Sequence, residues 1–349
     1  MATGILTRSI PLRPTEGDIH KDYCVSRIDL ATTTGVETIV TAFLQECGGS
    51  PLAVGGAIEV LQSSLPLGWS PDAVRTEVGI RDDYPFEDEV TALITRDREE
   101  FAEAARETKY RIAAIKDPQG TGSELRATFV PITYEEVVAF HQSLTEAAAR
   151  SDMWTCELRT RWAKQLLATR TCRLPGSAVM HIVVITGDNQ VVLCRRSPRV
   201  HYHPSHWSIT LEEQINEMDC VAGSIDLFAA AKRGFREELG PDANVGDVRV
   251  WSVFLEFGIL NLGFCSCIET PLCFDEIRYS WNAKARDKWE ATDVVGEPFT
   301  PANVGRLFAL NKYGAAPDEI GSFHPTSKYR LLSAAVRRFG WDAIVPSLI

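Results

Sequence analysis

The stretch from Asp226 to Gly240 constrains this chain more than any other, because it specifies a helix at both ends and along one side. Asp226 is an N-cap residue whose carboxylate takes orphan amide protons. Gly240-Pro241 supplies a left-handed stop followed by a residue that cannot continue the helix. At about 100° per residue, Phe228, Phe235 and Leu239 form an apolar stripe, while Leu227, Ala231, Gly234 and Glu238 share the adjacent face. Glu238 is thereby turned away from the solvent side held by Lys232 and Arg236. Glu237 stands one turn beyond Arg233, at the spacing of an ion pair.

β-rich runs surround this helix. Val179–Ile185 and Val191–Cys194, joined by Gly187-Asp188-Asn189-Gln190, read as a hairpin. Val248–Phe257 and Leu262–Ile268 are further strand candidates, and a last helix is predicted near Lys328–Phe339. Strands alternating with helices imply an α/β fold in which helices cover a mixed sheet. Upstream, apolar spacing predicts a helix over Glu87–Ile115, with Asp97-Arg98-Glu99-Glu100 on its solvated face, and a strand over Leu125–Val130. Thr133-Tyr134-Glu135-Glu136 has capping-box spacing and opens a helical region that runs through Trp162 and Leu167. The segment up to Gly17 reads as an irregular arm, and Val36–Leu44 and Leu52–Leu61 fit strand or helix equally. With 349 residues, 45% of them hydrophobic, the chain has material for two domains. The expected division is an α+β domain over 1–150, a helical linker over 151–176 and a second domain over 177–349.

Composition narrows the function. A formal charge of −11 leaves no broad basic surface for a nucleic acid duplex. The nine cysteines are scattered without CxxC spacing, so neither a disulfide framework nor a structural zinc site is expected, and a reducing, cytoplasmic setting follows. Cys265 and Cys267 read as small buried hydrophobes. No apolar run approaches the ~18 residues that span a bilayer, and the N-terminus lacks the apolar region of a signal peptide, so no membrane partner is expected.

The run Ala230-Ala231-Lys232-Arg233-Gly234-Phe235-Arg236-Glu237-Glu238-Leu239-Gly240 resembles the end of the Nudix box. That resemblance implies a Nudix-like α/β/α sandwich with a mixed sheet as the C-terminal half. It also implies a hydrolase in which clustered carboxylates bind Mg²⁺ or Mn²⁺ and assist water attack on a nucleotide-like diphosphate. A hard cation takes oxygen ligands and neutralises the diphosphate, which is why the chemistry needs acidic side chains together. By the resemblance Arg233 holds the acidic groups in place, and Glu237 and Glu238 are the paired glutamates. The sequence departs from the box at Gly234 and Ile225, where two acidic residues are expected, and at Asp219, where the leading Gly is expected.

Glu212 and Glu213, in the segment that precedes the box, are the residues that could restore the missing charge. The candidate catalytic set is therefore Glu238, Glu237, Arg233 and Glu213, and the candidate metal ligands are Glu237, Glu238 and Glu212. Arg195 and Arg196, near Arg199, form the local basic cluster that suits an anionic ligand. His203 and Trp207 come from the His-rich loop before Glu212 and complete the candidate substrate contacts. A solvated loop with Trp207 anchored in the core is the simpler reading of that loop, and Glu217 and Asp219 read as surface residues. Trp281 and Asp287-Lys288-Trp289-Glu290 fall where Nudix domains often place substrate loops or an additional catalytic carboxylate, and Thr326 or Ser327 reads as the cap of the last helix. The same order of motifs is similar to isopentenyl-diphosphate isomerase, but Leu211-Glu212-Glu213-Gln214 lacks that family's cysteine. A phosphorylated small molecule is the expected ligand, and the N-terminal extension is compatible with a homodimer. The alternative functions are a degenerate ligand-sensing module and a non-hydrolytic biosynthetic enzyme using the same pocket.

Overall fold

The computed structural model describes residues 53–97, 107–149, 153–241, 245–310, 312–314 and 320–348. The arm and the run Val36–Leu44 lie outside them.

The first described part begins with β1 (Ala53–Val54), β2 (Ala57–Gln62) and β3 (Val74–Val78). Next come α1 (Asp88–Asp97), β4 (Thr108–Lys116), β5 (Leu125–Thr133), α2 (Tyr134–Ala149) and α3 (Met153–Thr169). The capping box is present: Glu136 accepts from the Thr133 amide (3.0 Å) and the Thr133 hydroxyl accepts from the Glu136 amide (3.3 Å). The predicted helix over Glu87–Ile115 is corrected, because Thr108–Lys116 is a strand. The apolar positions that set the helical period end at Ala105. Beyond them Tyr110 and Ile112 to Ile115 are all buried and pair antiparallel with β5, so sheet pairing decides the conformation.

The second part runs through β6 (Val179–Ile185), β7 (Gln190–Arg196), β8 (Trp207–Ile209), β9 (Leu211–Gln214), β10 (Cys220–Val221), β11 (Ser224–Ile225) and α4 (Leu227–Leu239). It continues with β12 (Asp247–Glu256), β13 (Asn261–Glu269), α5 (Phe274–Lys284), β14 (Ala291–Pro298) and α6 (Pro301–Ala309). β15 (Lys312–Tyr313), β16 (Gly321–Ser322), α7 (Ser327–Phe339) and α8 (Trp341–Leu348) close it.

A nine-stranded sheet has the order β1-β2-β12-β13-β6-β7-β14, with β8 on β7 and β9 on β6. β13 and β6 are parallel and their neighbours antiparallel, so the sheet is mixed. β2 comes from the first part of the chain yet pairs with β12, which ties that part to the main sheet by backbone hydrogen bonds. All seven residues of β6 are buried, as a strand covered on both faces requires. On one face α4, α5 and the three-stranded β3-β5-β4 sheet share a core that includes Phe129, Phe235 and Phe264. On the other, α6, α7 and α8 pack over Val183, Leu193, Phe254, Cys265 and Cys267. The result is an α/β fold with helices on both sides of the sheet. Among the described residues no helix is long and apolar enough to cross a membrane.

The helix α4 forms as its sequence dictates. Asp226 accepts from the Phe228 and Ala229 amides (3.0 and 2.9 Å), and Gly240 takes φ +84° while its amide donates to Arg236. A side chain at Gly240 would also meet the Ser280 carbonyl oxygen at 2.5 Å, so both conformation and space select glycine there.

Candidate functional site

β9 separates two polar clusters, because successive side chains on a strand point to opposite faces. Glu213 faces α4 and Glu212 faces α7.

On the α4 side Arg233 is the hub. Its guanidinium donates to both Asp219 oxygens (3.1 and 2.8 Å), to Glu213 (2.6 Å), to Glu237 (3.2 Å) and to the Gln214 carbonyl (3.1 Å). Asp219, expected at the surface, is 2% exposed, since the fork of Arg233 and the Asn216 amide satisfy its carboxylate. Glu237 also pairs with Arg286 (3.0 Å). Gly234 leaves room for Glu213, whose Cβ would lie 2.8 Å from a side chain built there. The Glu213 side chain from β9 thus occupies the space that a side chain at position 234 would take. Burial pushes the Glu213 carboxyl up to about 8, against the pull of an Arg233 charge that is shared with Asp219 and Glu237. Burial and then the neighbouring Glu290 and Glu213 raise Glu238 well above the usual carboxylate range.

Glu213 holds its proton more firmly in the folded chain than in the unfolded one. Its contribution to stability is therefore complete below about pH 4 and lost as pH rises toward 8. Glu213→Gln is expected to flatten that loss, so that between about pH 5 and 8 the variant's thermal midpoint falls less than that of the unmodified chain. Parallel pH profiles would show that Glu213 does not titrate in this range.

On the α7 side Glu212 receives Arg330 (2.7 Å), Arg196 (3.3 Å) and the Ser208 hydroxyl (3.3 Å), and lies 3.3 Å from His324 Nε2 and 3.8 Å from His181 Nδ1. Burial works against its charge, but the Arg196 and Arg330 guanidinium groups hold the carboxyl well below its usual range. Next to it His203 Nε2 meets Glu256 Oε1 at 3.0 Å, and His324 Nε2 is 3.8 Å from the same oxygen. His203, Glu256 and His324 are all buried and bring three ligand atoms within 4.8 Å of one another, a geometry able to coordinate a divalent cation. Among the described residues they are the one group that does so. His324 is fixed at the start of α7 by its amide on the Trp207 carbonyl (2.7 Å). Thr326 stands at the cap position as expected, but its hydroxyl meets His324 Nδ1 (3.0 Å) rather than capping the helix. Burial lowers the His324 and His181 imidazoles, so both rings are neutral near pH 7.

Among the described residues Glu237, Glu238 and Glu212 do not bring three ligand atoms within 4.8 Å of one another. Glu237 is engaged by two arginines, and Glu212 lies across β9 among Arg196, Arg330 and the histidines. Of the expected substrate contacts, Arg196 and His203 join the α7-side cluster. Arg195, beside Arg196, is half-buried and paired through its backbone with Trp207. Trp207 is 1% exposed, edge-on to Tyr313 in the core. Glu256, His324, His181 and Arg330 were not singled out by sequence. His181 and Glu256 did carry a signal, each being a polar residue inside an apolar strand that must be buried.

A scan against protein-family models gives no match, and a search of the curated proteins gives none either. Solved structures do show a likeness. DR0079 from Deinococcus radiodurans is similar at 13% identity and TM-score 0.30, over 44% of this chain and 80% of its own. Tm1382, a provisionally assigned Nudix hydrolase, is similar at 13% identity and TM-score 0.31, over 47% and 71%. A bifunctional NMN adenylyltransferase/ADP ribose pyrophosphatase from Francisella tularensis is similar at 11% identity and TM-score 0.30, over 75% and 68%. Each likeness is distant, and neither a family nor a residue role for this chain is taken from it.

Proposed function

We propose that this chain is a divalent-cation-dependent enzyme that hydrolyses a small diphosphate-containing, nucleotide-like metabolite, with His203, Glu256 and His324 holding the cation. The observation that carries the reading is the buried convergence of those three side chains. Two imidazoles and one carboxylate suit Mn²⁺, Fe²⁺ or Zn²⁺ better than Mg²⁺, which prefers oxygen ligands alone. Such a cation supplies a Lewis acid that neutralises substrate oxygens. Arg196 gives the site a cation for an anionic substrate, and the neutral His181 beside Glu212 gives it a hydrogen-bonding group. Glu238, within electrostatic reach of Glu212 and Arg196, has its carboxyl raised by burial, the direction that favours a proton-holding acid. Arg233, Asp219, Glu213 and Glu237 hold α4 against β9. Among the described residues before position 150, β1 and β2 belong to the main sheet and β3, β4 and β5 form a sheet beside it, with α3 as the helical connection to the rest.

One observation favours a second reading. His324 Nδ1 accepts the Thr326 amide (3.2 Å), which places the proton of the neutral ring on Nε2, the atom that faces Glu212 and Glu256. A cation bound through Nε2 has to replace that proton. Without a cation the same groups form a proton-sharing cluster suited to a ligand-sensing module or to a non-hydrolytic reaction.

Incubation of the purified chain with nucleoside diphosphate derivatives separates the readings. Cleavage into two phosphate monoesters, read as phosphate after phosphatase treatment, that needs Mn²⁺ and stops with EDTA is expected. Thermal stabilisation by a derivative without cleavage in any metal would favour the sensing module.

A further inference from the structure

The cation site lies against a helix from the first part of the chain. Resting on the reading that His203 is a cation ligand, we propose that His141, on α2, is a positioning residue for that site, acting through the Tyr202 hydroxyl on the loop that carries His203.

His141 is 2% exposed and bridges two elements of the second part of the chain. Its Nε2 meets Asn261 Oδ1 at 3.1 Å, and its Nδ1 meets the Tyr202 hydroxyl at 2.7 Å. The Asn261 oxygen only accepts, so Nε2 carries the ring proton and Nδ1 accepts from Tyr202. Burial keeps the ring neutral, which preserves this one-donor, one-acceptor arrangement. The Tyr202 ring stands edge-on to His141, with centroids 4.9 Å apart. Arg196 Nε holds the Tyr202 carbonyl from the other side (3.1 Å).

The loop needs such a clamp. His203 and Ser205 take φ of +47° and +64°, a left-handed conformation that side-chain-bearing residues adopt only where their surroundings impose it. Tyr202 immediately precedes the first of them. The bond from His141 to Tyr202 therefore fixes the backbone just where it turns His203 toward Glu256 and His324, whose ring centroid lies 4.3 Å from that of His203. Partners of a ligand's own element set affinity by holding the ligand in place before the ion arrives. In this arrangement the first part of the chain is a support of the site, which gives a physical reason for the two parts to be joined.

The test is calorimetric titration of the full chain with Mn²⁺, below the lowest melting midpoint of the set. Tyr202→Phe, which deletes only the hydroxyl, is expected to weaken Mn²⁺ binding by about 10–100-fold, and His141→Leu by a similar factor. His141→Gln, which keeps a donor and an acceptor, is expected to recover part of the loss. Leu144→Ala, a buried change on the same helix, is expected to lower the melting midpoint and leave the Kd unchanged, so that a general loss of packing is told apart from positioning. Should either Tyr202→Phe or His141→Leu fail to fold, the other carries the test. A Kd in Tyr202→Phe equal to that of the unmodified chain, with His324→Ala still abolishing binding, overturns this proposal and leaves the cation site standing. Absence of His324-dependent binding in the unmodified chain overturns both.

Discussion

Glu256→Gln is expected to weaken Mn²⁺ binding by at least about 100-fold, more than substitutions outside the ligand set usually do. The effect follows from the place of Glu256 at the end of β12. It is 2% exposed and has His203 Nε2 at 3.0 Å and His324 Nε2 at 3.8 Å, so it is the one anionic member of the group. Glutamine keeps the shape and an oxygen for His203, but it removes the charge that makes a buried site attractive to a divalent ion. The metal-free variant should melt close to the unmodified chain, because a buried charge is removed with little change of volume. Titration calorimetry paired with a melting curve checks both parts, and an unchanged Kd would place the ion elsewhere.

Arg330→Met is expected to cost about 3–5 kcal/mol of stability, the loss typical when one partner of a buried ion pair is removed. Arg330 is fully buried on α7 and donates to Glu212 (2.7 Å), Ser208 (3.0 Å) and His324 Nδ1 (3.2 Å). Methionine fills most of the stem but leaves Glu212 with Arg196 at 3.3 Å as its remaining guanidinium. The double variant Glu212→Gln/Arg330→Met should recover a substantial part, since it removes the uncompensated charge as well. Denaturant unfolding measures both. A loss below about 1 kcal/mol for the single variant would mean that the pair behaves as an exposed one.

The sequence made α4 legible because its signals are local. Asp226, Gly240 and the Arg233–Glu237 spacing act within one or two turns, and each is realised. The hairpin at Gly187–Gln190 and the capping box at Thr133 were legible for the same reason. The strand β4 was not, because neighbouring helical periodicity was extended over residues whose conformation is set by pairing with β5. The role of Asp219 was hidden too, since its partner Arg233 arrives from α4, beyond β10 and β11. The α7-side cluster is more distant still. His203, Glu256 and His324 come from a loop, a strand end and a helix start far apart in the chain, and the sheet order β12-β13-β6-β7, with β8 on β7, brings them together. The resemblance to the Nudix box offered Glu237 and Glu238 of α4, with Glu212 of β9, as the ligand set, whereas tertiary pairing commits Glu237 to arginines and gathers two imidazoles and a carboxylate on the other side of β9.

A crystal of the full chain soaked in Mn²⁺ locates the cation through an anomalous difference map. A peak bounded by His203, Glu256 and His324 is expected. A peak beside Glu238 on α4, with none between those three residues, would contradict that placement of the cation.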